Sequence, residues 1–299
     1  MAKDFMNLLD LTQDELKETL KLAHAYREDR TLNNTILNGK TIGLIFLKNS
    51  TRTRVSFETG VNQLGAYPMY LDQNSLQVGR GESFEDTAKV LSRYLDGIVI
   101  RGHKHTDIKA FADACSIPVI NALTDTYHPC QLLADMQLIE AERGSLEGAK
   151  VAFMGDCASN MALSWIYAAH ATGMELTLGG PDGYHATADF LASIGNPSNI
   201  KQTTDAKEAG EGAEFIYTDV WVSMGFEEEA GDRTSIFNPY QVNQALLDVA
   251  KEDVKVMHCL PAYRGQEITA DVIDGKHSIV WDQAENRLHA QKAVMTLKF

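Results

Sequence analysis

Ser50-Thr51-Arg52-Thr53-Arg54 brings three hydroxyls and two guanidinium groups into one stretch, after the apolar run Thr41–Leu47 and before the helical pattern Val55–Leu64. A strand that delivers hydroxyl donors to a helix N-terminus surrounds one point with free backbone N–H groups, and such a point favours a phosphate. Arg52 adds a planar fork matched to phosphoryl or carboxylate oxygens. A helix cap with surface arginines uses the same residue types for structure alone. Two arginines among three hydroxyls is a denser donor set than a cap requires. A Walker loop does not fit. Gly39-Lys40-Thr41 matches its end, but Asn34 stands at its first glycine and the stretch precedes a strand.

Other polar groups follow apolar runs in the same way. Arg101 follows Gly97–Ile100, and His128-Pro129-Cys130-Gln131 comes soon after Pro118–Ala122. His128 and Gln131 stand three apart at a helix start, on one face, and Pro129 in the first turn holds His128 at the mouth. There the imidazole can donate to a carbonyl oxygen. Gly155-Asp156-Cys157-Ala158-Ser159-Asn160 follows Lys150–Met154 without a G-x-G-x-x-G pattern, so it reads as polar groups for a small amine-bearing ligand or as a cap rather than a dinucleotide site. Asp219 closes Glu214–Thr218 with no basic sequence neighbour; it either pairs through space or binds an ammonium. Trp221 beside it reads as packing. Cys259 ends Lys255–Cys259 in a His258-Cys259-Leu260-Pro261 stretch and lacks the accompaniments of a cysteine hydrolase, so it reads as a polar contact.

These groups must be positioned by the elements between them. The apolar runs named above, with Glu175–Leu178 and Ser278–Trp281, are short and without polar alternation, as in strands buried on both faces of a parallel sheet. Helical patterns separate them: Thr12–Glu28, Val55–Leu64, Phe84–Tyr94, Ile108–Ala114, Gln131–Arg143, Ala162–Thr172 and Tyr240–Ala250. The alternation predicts doubly wound α/β sheets with right-handed crossovers. Gln131–Arg143 followed by Gly144-Ser145-Leu146-Glu147-Gly148 marks the boundary between two α/β domains joined by a helix. Phe226–Arg233, with four acids in eight residues, reads as a mobile loop. In such sheets ligands sit beyond the carboxyl ends of the strands, where the polar groups cluster.

Composition excludes several functions. With 27 Lys and Arg against 41 Asp and Glu, the formal charge is −14, which argues against nucleic acid and anionic membrane surfaces as partners. An anionic substrate then needs a local cationic pocket. No apolar run approaches the ~20 residues that span a bilayer. Met1-Ala2-Lys3-Asp4-Phe5 lacks a signal-like apolar region, so a soluble cytoplasmic protein is expected. Cys115, Cys130, Cys157 and Cys259 lie far apart, without the short spacings of a structural zinc site. His103-Lys104-His105 and His258-Cys259 lack carboxylates at helical spacing and are not read as metal sites.

The chain resembles the aspartate/ornithine carbamoyltransferase family. Ser50-Thr51-Arg52-Thr53-Arg54 and His128-Pro129-Cys130-Gln131 match the motifs of the whole family. Asp219-(x)3-Ser223-Met224-Gly225 and His258-Cys259-Leu260-Pro261 match its ornithine branch, as do Gly79-Arg80-Gly81-Glu82-Ser83 and Ala284-Glu285-Asn286-Arg287. The resemblance implies carbamoyl transfer from carbamoyl phosphate to L-ornithine, giving L-citrulline and phosphate, in arginine metabolism. It implies that Ser50, Thr51, Arg52, Thr53, Gln77, Arg101, His128, Gln131, Cys259, Leu260 and Arg287 bind carbamoyl phosphate. Asn160, Asp219, Ser223 and Met224 would bind ornithine. Arg52, Arg101, His128 and Cys259 form the implied catalytic set, with no metal or organic cofactor. Ser159 stands where relatives often have a second asparagine. The resemblance further implies a homotrimer or a multiple of trimers, and domains at 1–143, completed by a C-terminal helix 285–299, and 144–284. Putrescine, N-acetylornithine and aspartate carbamoyltransferases are the rival readings within the family; a non-catalytic anion-binding protein on the same fold is the rival outside it.

Overall fold

A computed structural model describes residues 3–74, 76–77, 81–222 and 230–299, with backbone alone at 230–232. The chain divides into two compact units, Met1–Gln137 with Glu285–Phe299, and Leu138–Ala284.

In the first unit, α1 (Gln13–Glu28) is opened by a capping box in which Thr12 and Glu15 satisfy each other's backbone N–H groups. There follow β1 (Thr41–Phe46), α2 (Thr51–Gln63), β2 (Tyr67–Asp72), α3 (Phe84–Leu91), β3 (Gly97–Arg101), α4 (His105–Ala114), β4 (Val119–Leu123) and α5 (Pro129–Arg143), which runs on into the second unit. All pairings are parallel and the strand order is β2-β1-β3-β4. β3 is buried along its whole length and β1 along all but its first residue. That is the environment their unbroken Ile, Val, Leu and Phe content demands.

The second unit holds β5 (Lys150–Met154), α6 (Asn160–Thr172), β6 (Glu175–Gly179), α7 (Ala188–Ser193), β7 (Ile200–Thr203), α8 (Ala206–Gly210), β8 (Phe215–Thr218), α9 (Ala230–Phe237), α10 (Gln244–Leu247), β9 (Lys255–His258) and α11 (Ala270–Ile273). Its parallel sheet has the order β7-β6-β5-β8-β9. Helix α12 (Val280–Lys298) closes the chain, and its residues from Glu285 onward belong to the first unit. There Gly60 of α2 faces it so closely that a Cβ would lie 3.1 Å from Met295 Cε and 3.3 Å from Lys292 Cγ. Asn286 accepts from Arg27 at 3.0 Å, and buried Lys292 donates to the Arg30 carbonyl at 2.7 Å.

The two parallel α/β sheets agree with the expected class, and several elements differ from expectation. Ser278–Trp281 is not a strand: Ser278 makes one bridge to Val256, and α12 starts at Val280. Tyr240–Ala250 yields only the single-turn α10. Phe226–Arg233 is helical from Ala230; its earlier part lies outside the described residues. β2 and β7 are edge strands without a continuous apolar run. Tyr67 and Met69 of β2 point outward, and Lys201 and Gln202 interrupt β7.

Candidate active site

Both sheets reverse direction of strand addition at one point, and in such sheets that point is where a ligand crevice opens. In the first unit it lies between β1 and β3. Phe46 pairs with Arg101 across them, so the segment after β1 and the last residue of β3 arrive together. Ser50 caps α2, its hydroxyl accepting from the Thr53 N–H at 3.3 Å. Arg101 is only 5% exposed and donates through Nη1 to Thr53 Oγ1 at 3.3 Å. Arg287, brought in by α12, donates through Nη2 to the same oxygen at 3.4 Å and through Nη1 to Gln131 Oε1 at 2.7 Å. Two guanidinium groups thus converge on one hydroxyl in the first turn of a helix. That arrangement suits a multiply charged oxyanion.

His128 immediately precedes α5 and is buried. Burial, then the charges of Arg287 and Arg101, hold its pKa well below the usual histidine value, so it is a neutral imidazole at neutral pH. Gln131 is oriented by Asp135, whose Oδ1 accepts from Nε2 at 2.8 Å. Asp135 was not among the expected site residues, although its i,i+4 spacing from Gln131 on a helix is a legible signal. Thr51 and Arg52 are exposed on the first turn of α2, and Arg52 has no ion-pair partner among the described residues. Gln77 is exposed in the segment between β2 and α3.

In the second unit the reversal lies between β5 and β8. The pairing of Thr218 with His258 sets Asp219 and Cys259 side by side at the ends of β8 and β9. The Cys259 thiol donates to Asp219 Oδ1 at 3.0 Å. Burial pushes the Asp219 carboxyl above its ordinary value, tempered by His258, the Cys259 thiol and the Val220 N–H. Asp219 has no Lys or Arg partner among the described residues, so its through-space pairing is with the thiol.

His258 supports this corner. Its Nδ1 accepts from the Leu260 N–H at 2.8 Å, which makes Nε2 the protonated nitrogen. Nε2 then donates to fully buried Glu267 at 3.0 Å. The bond to Leu260 pins a residue whose φ of 56° lies in the left-handed region, a costly conformation for leucine. The donor atoms of Asp219, His258 and Cys259 lie within 4.8 Å of one another, a grouping that sequence spacing hides. Both nitrogens of His258 are already engaged, so the cluster reads as a hydrogen-bonded one. Glu267 stands in none of the sequence motifs, and its neighbours in sequence carry no signal of it.

Asn160 opens α6, which Ser159 caps by accepting from the Ala162 N–H at 3.3 Å. Asp156 is committed to structure. It caps the Ala158 N–H and receives Arg233 at 2.5 Å, and Arg233 also donates to the Trp221 carbonyl at 2.7 Å. The amine-ligand reading of Asp156 is therefore replaced by an ion pair. Trp221 is buried packing, 2% exposed. Ser223 and Met224 lie outside the described residues, as do Gly79 and Arg80. No helix among the described residues is long and apolar enough to cross a membrane.

Comparison with known proteins finds two family domains along the chain. Residues 3–141 match the carbamoyl-P binding domain of aspartate/ornithine carbamoyltransferase, and residues 147–297 match its Asp/Orn binding domain. An ornithine carbamoyltransferase of Oceanobacillus iheyensis is 51% identical over 99% of this chain and 94% of its own length. One from Methanothermobacter thermautotrophicus is 49% identical over 98% of this chain and 97% of its own. The solved structure of the Pyrococcus furiosus ornithine carbamoyltransferase superposes with a TM-score of 0.92 at 44% identity, covering 98% of this chain and 96% of that one.

Proposed function

The chain belongs to the aspartate/ornithine carbamoyltransferase family and has the activity of its ornithine branch, carbamoyl transfer from carbamoyl phosphate to L-ornithine; from that premise we propose how its residues divide the work. Ser50, Thr51, Arg52 and Thr53 hold the phosphate at the N-terminus of α2, with Gln77 and Arg287 adding contacts. Arg101, His128 and Gln131 orient and polarise the carbamoyl group. Asn160, Asp219, Ser223 and Met224 hold the amino-acid end of ornithine. Cys259 and Leu260 serve its side-chain amine and the carbamoyl group.

The neutral δ-amine attacks the carbamoyl carbon. A C–N bond forms, the bond from that carbon to the phosphate oxygen breaks, and phosphate leaves with the electron pair. The leaving phosphate takes the proton that the amine sheds. Charge grows on the carbonyl oxygen and on the phosphate, which Arg52, Arg101 and His128 stabilise; losing one such preorganised donor costs ~10²–10³ in rate. His128 acts as a neutral donor, which its depressed pKa supports. Asp219 is a desolvated carboxylate whose charged form a cationic guest stabilises, which suits an α-ammonium.

The convergence of Arg101 and Arg287 on Thr53, beside a neutral His128, carries this reading. We also assign a cytoplasmic enzyme that assembles as a homotrimer or a multiple of trimers, with the carbamoyl phosphate domain at 1–143 and 285–299 and the ornithine domain at 144–284. The test measures citrulline from carbamoyl phosphate and ornithine, beside putrescine, N-acetylornithine and aspartate. Turnover with ornithine alone is expected. Turnover with another amine instead moves the specificity assignment. Carbamoyl phosphate binding without turnover on any of them overturns the reading.

A further inference from the structure

The His103-Lys104-His105 segment leads from β3 into α4, whose first residue is His105, and touches both approaches to the first-unit cluster. His103 Nε2 donates to the Leu47 carbonyl at 3.1 Å, just ahead of the Ser50 cap. His105 Nδ1 lies 3.1 Å from Thr124 Oγ1, just ahead of His128. Backbone bonds fasten the same loops: the Asp125 N–H donates to the His103 carbonyl and the His105 N–H to Asp125 Oδ1, each at 2.8 Å. The His105 and Tyr127 rings meet edge to face, 4.9 Å between centroids.

Thr124 is fully buried and organises the turn that ends at His128. Its N–H donates to the Tyr127 carbonyl at 2.9 Å. Its Oγ1 accepts from the Tyr127 N–H at 3.2 Å and from the Thr126 N–H at 3.4 Å. A hydroxyl has two lone pairs and one proton. With two backbone N–H groups on its acceptor side, the hydroxyl can give its proton to His105 Nδ1, 3.1 Å away, provided that nitrogen is unprotonated.

We propose that Thr124 and His105 are positioning residues for His128: the unprotonated Nδ1 of His105 directs the Thr124 hydroxyl, and that hydroxyl shapes the turn presenting His128. The inference rests on the assignment of His128 to the carbamoyl group. Protonating His105 sets an N–H against an oxygen whose lone pairs are already taken, and the turn loosens. The charged and titratable groups facing this ring are Asp125 after β4, Asp10 in the one-turn helix Leu8–Asp10, Lys109 on α4 and the Tyr127 phenol. The two acids favour the cation and Lys109 opposes it, while burial is the largest influence and keeps the ring below its ordinary pKa. The arrangement therefore holds at neutral pH and fails on the acid side.

The first test needs no variant. Nitrogen-15 NMR of the wild-type histidines should show His105 as the Nε2–H tautomer at pH 7; an Nδ1–H tautomer overturns the proposal. Kinetically, Thr124→Val should lower kcat about ten- to a hundredfold, the range expected for an ångström of misplacement, with the KM for carbamoyl phosphate within about threefold. Thr124→Ser should restore most of the loss. His105→Leu should behave like Thr124→Val, whereas His105→Asn, whose amide oxygen replaces Nδ1, should retain kcat. The ratio of wild-type to His105→Asn kcat should fall as pH drops through the His105 titration; ornithine and His128 ionise in both proteins and cancel. A flat ratio, or wild-type kcat in both Thr124→Val and His105→Leu, defeats the inference. His128→Ala separates the two readings. Full activity there removes the assignment of His128 itself, and loss of activity there beside a silent Thr124→Val removes only the positioning role.

Discussion

Arg287→Gln tests the first-unit cluster most directly, because that side chain joins two parts of it. It reaches Gln131 Oε1 at 2.7 Å and Thr53 Oγ1 at 3.4 Å from a site only 6% exposed. A hydrogen bond from a charged donor contributes roughly 1.5–3 kcal/mol. Those bonds exist before substrate binds, so their loss falls on stability and preorganisation; the rate falls through the lost guanidinium contact to carbamoyl phosphate, about 10²–10³ in kcat/KM as for another preorganised oxyanion donor. The substitution also removes the second-largest cause of the depressed His128 pKa. Burial and Arg101 remain, so His128 stays below its ordinary value but rises toward it. The acid limb of the kcat profile should therefore move to higher pH. Arg287→Lys keeps the charge but lacks the fork that spans two acceptors, so it should preserve the pH profile better than the rate. The assay is citrulline formation across pH, with circular dichroism to show that the fold persists. An Arg287→Gln enzyme within threefold of wild type, or an acid limb moving to lower pH, refutes the reasoning.

Three further outcomes follow from the geometry. Ser50→Ala removes the α2 cap and should cost about 1 kcal/mol in chemical denaturation while raising the KM for carbamoyl phosphate. Glu267→Ala strands the His258 Nε2–H in a dry interior, frees the Tyr263 N–H, and should lower stability by about 3 kcal/mol and raise the KM for ornithine; Glu267→Gln, which keeps an acceptor oxygen, should be milder in both measurements. His289 of α12 is buried with its pKa lowered from 6.5 to about 4, so below pH 6.5 the unfolded chain takes up a proton that the native one refuses. Stability should fall by about 1–3 kcal/mol as pH drops from 6.5 to 4, and His289→Leu should flatten that slope in a pH series of thermal melts.

The strands legible in the sequence are those buried on both faces, since an unbroken apolar run is what two covered faces require. β2 and β7 escaped because they are wetted edges that admit Tyr67, Lys201 and Gln202, whereas the other two terminal strands, β4 and β9, are covered and keep their apolar runs. Ser278–Trp281 carried the right residue types, but one bridge at Ser278 is all the sheet accepts before α12 begins. Among site residues, Ser50 and His128 declared themselves by standing at strand-to-helix turns. Arg287 did not, because its partner Gln131 is 156 positions away and only the resemblance linked them. The Asp156–Arg233 pair was hidden for the same reason, and His105 because its role depends on a hydroxyl it meets only in space.

The discontinuity of the first unit has a consequence for how the protein is born. A ribosome delivers β1, β3 and α5 early, then all of the second unit, and only then the stretch from Glu285 that carries Arg287. Until that stretch emerges, Gln131 Oε1 lacks Arg287, Thr53 has Arg101 but not the second guanidinium, and the face of α2 at Gly60 lacks Met295 and Lys292 against it. The nascent chain therefore holds an apolar seam open throughout translation of the second unit, a period of roughly ten to thirty seconds at usual elongation rates. Catalytic competence waits for the stretch from Glu285, and a chain that stalls within the second unit is both inert and exposed at that seam.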